Sequence, residues 1–217
     1  MIPLGAFTGA RVRELAQLLV QDIQEVERIP VISITEDEDI TGGVKKVKTE
    51  AGRRIVPVHV TLINMGFLDF VKTMKESGEH RLWPDLAENK GTKGGCGRDW
   101  SRKFSRIKNE LRFSQKVVYH SFRHAVESKL AALHIDRAYM SDIIGHARKG
   151  DTGETTYTKT FLPERKMALD QIKYEGVDWP KWEPGRAIQK RQKTAGKERI
   201  ASFKSRRSGN VRNITAR

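Results

Sequence analysis

The sequence has 217 residues, with 41 Lys and Arg against 27 Asp and Glu and a formal net charge of +14 at pH 7. That length allows one ordinary domain with an appendage and a real hydrophobic core. The charge favours polyanionic partners, nucleic acid ahead of acidic membrane. No apolar run approaches the roughly 20 residues of a spanning helix, and no basic stretch followed by an apolar one signals export, so a soluble, intracellular protein is expected. The single cysteine, Cys96, excludes an internal disulfide and a cysteine cluster for zinc.

In chain order, Ile2 to Leu19 has apolar residues at helical intervals (Phe7, Val12, Leu15, Leu18), and its breakers Pro3, Gly5 and Gly9 all fall in the first half. A helix is predicted there, firmest from Gly9 onward. After Pro30, Val31 to Thr35 alternates as a strand, and an acidic turn from Glu36 to Asp39 precedes Gly42-Gly43. Val44 to Thr49 and Arg53 to Val60 are two further strand-like runs about the tight turn Glu50-Ala51-Gly52. The three together predict a small antiparallel sheet.

Residues 62–76 return to helical spacing through Ile63, Phe67, Phe70 and Met74. Residues 87–97 are polar and glycine-rich and read as an internal loop, Gly94-Gly95-Cys96-Gly97 included. Trp100 to Leu111 is a basic amphipathic helix with Trp100, Phe104, Ile107 and Leu111 on its apolar face, leaving Arg102 and Arg106 as candidate DNA contacts. Helical periods continue through Ser121 to Leu133, Ala138 to Ile144 and Pro163 to Tyr174. The fold class is therefore α+β, mainly helical, with one small three-stranded antiparallel sheet.

Charge is concentrated at the end. Residues 185–217 hold eleven Lys and Arg against one acid, Glu198, and so carry +10 of the +14. With few large apolar residues, that segment cannot build a core. It reads either as a solvated terminus without a specific role or as an arm that grips DNA, with Lys190 and Arg191 as candidate contacts.

Two signals with chemical content lie in the last half: a His-x-x-Arg at His120-Ser121-Phe122-Arg123, and Gly145-His146 followed by Tyr157. Neither decides anything alone, since a second His-x-x-Arg occurs at His134 to Arg137. Their ordered company discriminates: Thr8-Gly9-Ala10-Arg11 with Glu14-Leu15 early, then Lys48-Thr49 at a turn with Arg54 and Pro57 after it, then His120/Arg123, His146 and Tyr157. This series resembles the tyrosine site-specific recombinase (phage integrase) family, whose catalytic domain carries Arg, Lys, His-x-x-Arg, Gly-His and Tyr in that order. The likeness covers about residues 2–175. The His146 to Tyr157 spacing is slightly longer than the commonest family form.

The resemblance implies an integrase catalytic-core fold over residues 1–180, a basic tail over 181–217, and a metal-independent DNA strand transferase without cofactor. It assigns Tyr157 as nucleophile, Arg11 and Arg123 as phosphate clamps, His120 as proton acceptor, Lys48 as proton donor to the departing 5′-hydroxyl, and His146 as a hydrogen-bond partner of the phosphate. The residue types suit the task. A guanidinium is permanently charged and presents a planar fork of donors to non-bridging oxygens, and a tyrosine with an ordinary pKa near ~10 attacks only when its proton has somewhere to go. Double-stranded DNA is the implied partner, bound by a homotetramer, in the cytoplasm of a bacterium or encoded by a phage and associated with the nucleoid. The family's N-terminal core-binding domain is not represented, so a fragment of a longer integrase is expected.

Each assignment has a plainer rival. Arg11 could be a helix arginine paired with Glu14, and Lys48 one of several solubilising hairpin lysines beside Lys45 and Lys46. His120 and His124, four apart, could hold a metal, but the glutamate of a zinc-protease motif is replaced by Ser121; His124 is expected to be structural. Tyr119 is expected to pack beneath His120, and Tyr139 and Tyr174 to sit on helix faces. A type IB topoisomerase and a catalytically idle DNA-binding module are the alternative functions.

Overall fold

The computed structural model describes residues 1–36, 45, 47, 49–86, 95–147 and 160–185. Among them are eight helices and a three-stranded antiparallel sheet: α1 (Ile2–Thr8), α2 (Val12–Ala16), β1 (Ile23–Val26), β2 (Ile29–Ile34), β3 (Arg54–Pro57), α3 (Val60–Asn64), α4 (Phe67–Glu76), α5 (Gly95–Glu110), α6 (Ser121–Ala132), α7 (Arg137–Ile144) and α8 (Leu162–Asp170). The mixed α+β character agrees with the sequence expectation. No helix among the described residues is long and apolar enough to cross a membrane.

Several boundaries differ from expectation. The predicted first helix is two helices, because Gly9 adopts φ +62° and Arg11 is extended. Both helices bury apolar residues in one core, so the periodicity runs through the break. The predicted helix over 62–76 is likewise two, divided at Gly66 with φ +84°. Gly95 to Gly97, read as loop, form the first turn of α5, where Cys96 is buried.

The sheet has the expected size but a different membership. Its order is β1-β2-β3, with Ile23 opposite Ile32, Val26 opposite Ile29, and Ile34 opposite Arg54. Of the strand expected over Val44 to Thr49, the described residues Lys45, Val47 and Thr49 lie outside any strand, and Glu50–Gly52 is a 3-10 turn. Val60 begins a helix because His59 caps it, its Nδ1 accepting from the Thr61 N–H at 2.9 Å.

The core gathers Phe7, Leu15, Ile32, Ile34, Val56, Leu62, Val126, Leu130, Ile143, Ile144 and Leu169 from almost every element. Full burial of each such side chain contributes about 1.5–3 kcal/mol relative to exposure. The packing brings α1 onto α6, α2 across α5, and β3 against both α7 and α8. As a result Arg11, the turn before β3, the start of α6 and the end of α7 converge at one place. Beyond α8 the chain remains on the body at least through Trp182, which meets Phe70 edge-on and donates its backbone N–H to the Met65 carbonyl.

Candidate active site

Arg11 stands at the junction of α1 and α2, and its conformation is fixed by Glu14. The Glu14 carboxylate accepts the Arg11 backbone N–H at 2.9 Å and its Nη1 at 2.7 Å, which caps α2 and leaves the guanidinium partly exposed. The plain helix pairing weighed against a functional role is therefore real, and it also aims the side chain.

A second arginine holds the same carboxylate from the other side. Arg54 Nη2 donates to Glu14 at 3.0 Å, Nη1 to the Gly52 carbonyl at 2.8 Å, and Nε to the Ile143 carbonyl at 2.8 Å. One buried side chain thus ties together the Arg11 segment, the turn after Lys48 and the end of α7. Burial alone would raise the Glu14 pKa, but the charges and hydrogen bonds of Arg54 and Arg11 outweigh it and hold the carboxyl below its ordinary range.

Arg123, at the start of α6, is only 2 % exposed. Its Nη1 donates to the carbonyls of Gly9 at 3.0 Å and Ile144 at 2.6 Å, while the buried Nη2 has no hydrogen-bond partner among the described residues. A buried guanidinium nitrogen without an acceptor is costly unless a ligand supplies one. Gly9 permits this arrangement: a Cβ there would lie 3.3 Å from Val126 Cβ, so the end of α1 can approach α6. Burial first, then Arg11 and Arg54, depress the Arg123 pKa to about 10.

Two histidines complete the cluster. His120 precedes α6 and His146 follows α7, and both are exposed. The His120 pKa is lowered by burial of part of the ring, then by His124, Arg123 and Arg11, against an opposing pull from Glu127. His146 is lowered by the same kind of balance, with Arg123 the leading charge after burial. Both imidazoles are therefore neutral at pH 7, with one nitrogen free to accept a proton.

Gly145 sets the direction of His146. It adopts φ +79°, and a Cβ there would lie 2.8 Å from Arg54 Nη1 and 3.0 Å from the Ala51 carbonyl. Gly145→Ala is expected to cost about 1–2 kcal/mol for the left-handed backbone alone, with more from the clash with Arg54. Thermal denaturation would show the loss, and His146 resonances should shift with it.

Lys48, Tyr157, Lys190 and Arg191 lie outside the described residues. Their neighbours narrow the alternatives. Lys45 is buried and committed, its Nζ donating to Asp22 at 2.7 Å and Thr35 at 3.0 Å, so it is no rival to Lys48. The Glu50–Gly52 turn stands beside Arg11, since a Cβ on Gly52 would be 3.8 Å from Arg11 Nη1. Tyr119 is buried edge-on against Trp100, Phe104 and Phe122, with its hydroxyl donating to the Met1 carbonyl at 2.7 Å and burial raising its pKa strongly. Tyr174 donates to the Ala6 carbonyl at 2.7 Å and is raised by burial to about 12. Tyr139 is half-buried on α7.

Arg102 and Arg106 occupy the outer face of α5, both well exposed, near Asp99 and Glu110 respectively. Among the described residues neither pairs with a member of the arginine cluster. His124 is corrected from structural to surface: its side chain is 68 % exposed and pairs with Glu127. His134 and Arg137 are exposed. No group of three His, Cys, Asp or Glu among the described residues could hold a metal.

Sequence reasoning missed Glu127 and gave Arg54 only a place in a pattern. Glu127 could have been found from helical spacing, since His120, Arg123, His124 and Glu127 fall on one face of α6. Comparison with protein-family models and with curated proteins returns no match for this chain.

Proposed function

We propose that this chain is the catalytic domain of a tyrosine site-specific recombinase with the integrase catalytic-core fold, cleaving and rejoining double-stranded DNA through a 3′-phosphotyrosine at Tyr157. The observation that carries the reading is the unpartnered Nη2 of buried Arg123 within a cluster of excess positive charge. The charges acting on Arg123 among the described residues are Arg11 and Arg54 against Glu14 and Glu127. Counting Arg123 itself, three guanidinium groups face two carboxylates, a surplus of one, which a phosphodiester monoanion neutralises.

In the proposed reaction Arg11 and Arg123 hold the non-bridging oxygens and stabilise the charge that builds up on them in the pentacoordinate transition state. Tyr157 Oη forms a bond to phosphorus as the bond from phosphorus to the 5′-oxygen breaks. His120, neutral at pH 7, takes the tyrosine proton, and Lys48 protonates the leaving 5′-hydroxyl. The covalent intermediate conserves the bond energy, so a 5′-hydroxyl from another strand can reverse the step. Thr160 is anchored to Asp142 by its N–H at 3.1 Å and its hydroxyl at 2.7 Å. It lies three positions after Tyr157, a reach of at most ~11 Å of chain. Assembly as a tetramer on DNA, with exposed Arg102 and Arg106 and the tail residues Lys190 and Arg191 adding phosphate contacts, belongs to the same proposal.

The test is covalent trapping on a pool of duplexes, each nicked just 3′ of a randomised position, so that the short cleaved fragment diffuses away. Wild type is expected to give a protein-DNA adduct on denaturing gels without added metal, and Tyr157→Phe to give none. A wild type that forms no adduct with any member of the pool would favour a DNA-binding module instead.

A further inference from the structure

Glu127 is placed by the fold where two imidazoles meet. Its Oε1 lies 3.2 Å from His146 Nδ1 and its Oε2 lies 3.3 Å from His124 Nδ1. The His146 backbone is itself fixed, its N–H donating to the Ser141 carbonyl at 3.1 Å. With the main chain held and Nδ1 facing Glu127, Nε2 is the ring nitrogen left to meet a ligand.

We propose, resting on the recombinase reading above, that Glu127 is a positioning residue: it holds the Nδ1–H of His146 and keeps the imidazole able to take a proton, so that Nε2–H donates to the DNA phosphate in the bound complex. The groups around His146 explain why a carboxylate is needed there. Arg123 on α6, Arg11 ahead of α2 and Arg54 on β3 all oppose a positive imidazole, and partial burial opposes it further; Glu127 is the group that favours it. His124, on the far side of the carboxylate, competes for its charge, and His120 shares the same electrostatic pull. In the free protein burial and the arginines together prevail. An arriving phosphodiester offsets one positive charge, and the balance then turns toward protonated His146, so DNA binding should take up a proton.

A plain surface pair of this exposure contributes little to folding and nothing to chemistry. Glu127→Gln separates the two roles, because the amide oxygen can still accept from Nδ1 while the charge is gone. Two measurements are made on the full chain. The first is the NMR titration of His146 without DNA, where the variant should titrate at lower pH than wild type. The second is the pH profile of adduct formation on the nicked duplex pool. The variant should be slower by roughly tenfold at pH 8, the low end of what loss of an orienting partner costs at metal-bound histidines, with the ratio narrowing as pH falls and His146 regains its proton. An unchanged His146 titration, or a rate ratio independent of pH, would overturn the proposal. If wild type forms no adduct at any pH while the titration shift is present, the pairing stands and the recombinase reading is what fails. Circular dichroism of the variant guards against a folding defect, which would abolish both readouts together.

Discussion

Under the proposed recombinase reaction, Arg123→Lys is expected to lower strand cleavage by about 10²–10³-fold, the loss seen when one donor to a developing oxyanion is removed, although the charge is kept. Arg123 does three jobs at once: Nη1 joins the Gly9 and Ile144 carbonyls, and Nη2 is left for a ligand. A lysine ammonium is a point donor on a flexible stem. It can serve the two carbonyls or reach outward, and it cannot present a planar fork to two phosphate oxygens while bracing α1 against α7. Single-turnover kinetics on the nicked duplex pool would read the loss, and the fall should appear in the cleavage rate more than in DNA affinity, because the fork matters most as charge develops. A variant that cleaves within a few-fold of wild type would show that charge alone suffices and that the unpartnered nitrogen has no role.

Arg54→Met should produce the largest loss of stability. Removing it strips the buried Glu14 carboxylate of a 3.0 Å partner and leaves the Gly52 and Ile143 carbonyls without their donor. Breaking a buried pair from one side costs about 3–5 kcal/mol, which for a chain of this size lowers Tm by roughly 6–20 °C. The pH dependence has a definite sign. In the wild type the Glu14 carboxyl sits below its ordinary range, so its stabilising contribution is present above that range and is lost as pH falls through the lower folded value. In the variant the buried carboxylate keeps only Arg11 as a partner and is most costly when ionised. The stability gap should therefore be widest near pH 7 and narrow toward pH 4. Urea denaturation at both pH values reads it, and a gap that does not change with pH would show that Glu14 is not the group destabilised by the loss of Arg54.

The two substitutions also show what could and could not be read in advance. His120, Arg123, Gly145-His146 and Arg11 were legible because residue type and order along the chain carry the signal, and the helices of the second half followed from periodicity. Strand β1 was not legible. Ile23-Gln24-Glu25-Val26 is four residues long, and the turn to β2 uses Glu27 and Arg28 at φ +51° and +62°. Non-glycine residues in that conformation give none of the Asn-Gly or Asp-Gly signal on which hairpin reading depends. The break between α1 and α2 was hidden because both helices bury their apolar faces in one core. Arg54 looked like one basic residue beside another, and only closure of the fold brings the Ile143 carbonyl to its Nε. The pairing of Glu127 with His124 follows helical spacing, but its pairing with His146 was hidden for the same reason, since His146 comes from a different helix end.

The proposed chemistry ultimately rests on which side chain would become joined to DNA. Tyr119 and Tyr174 are held by burial above their ordinary range, with hydroxyls donating to backbone carbonyls, which leaves them poorly suited to attack. The decisive measurement is mass spectrometry of the proteolysed adduct formed on the nicked duplex pool. The account predicts a nucleotide remnant on the peptide containing Tyr157, linked through its phenolic oxygen. A remnant on Tyr119, Tyr139, Tyr174 or a serine would contradict it.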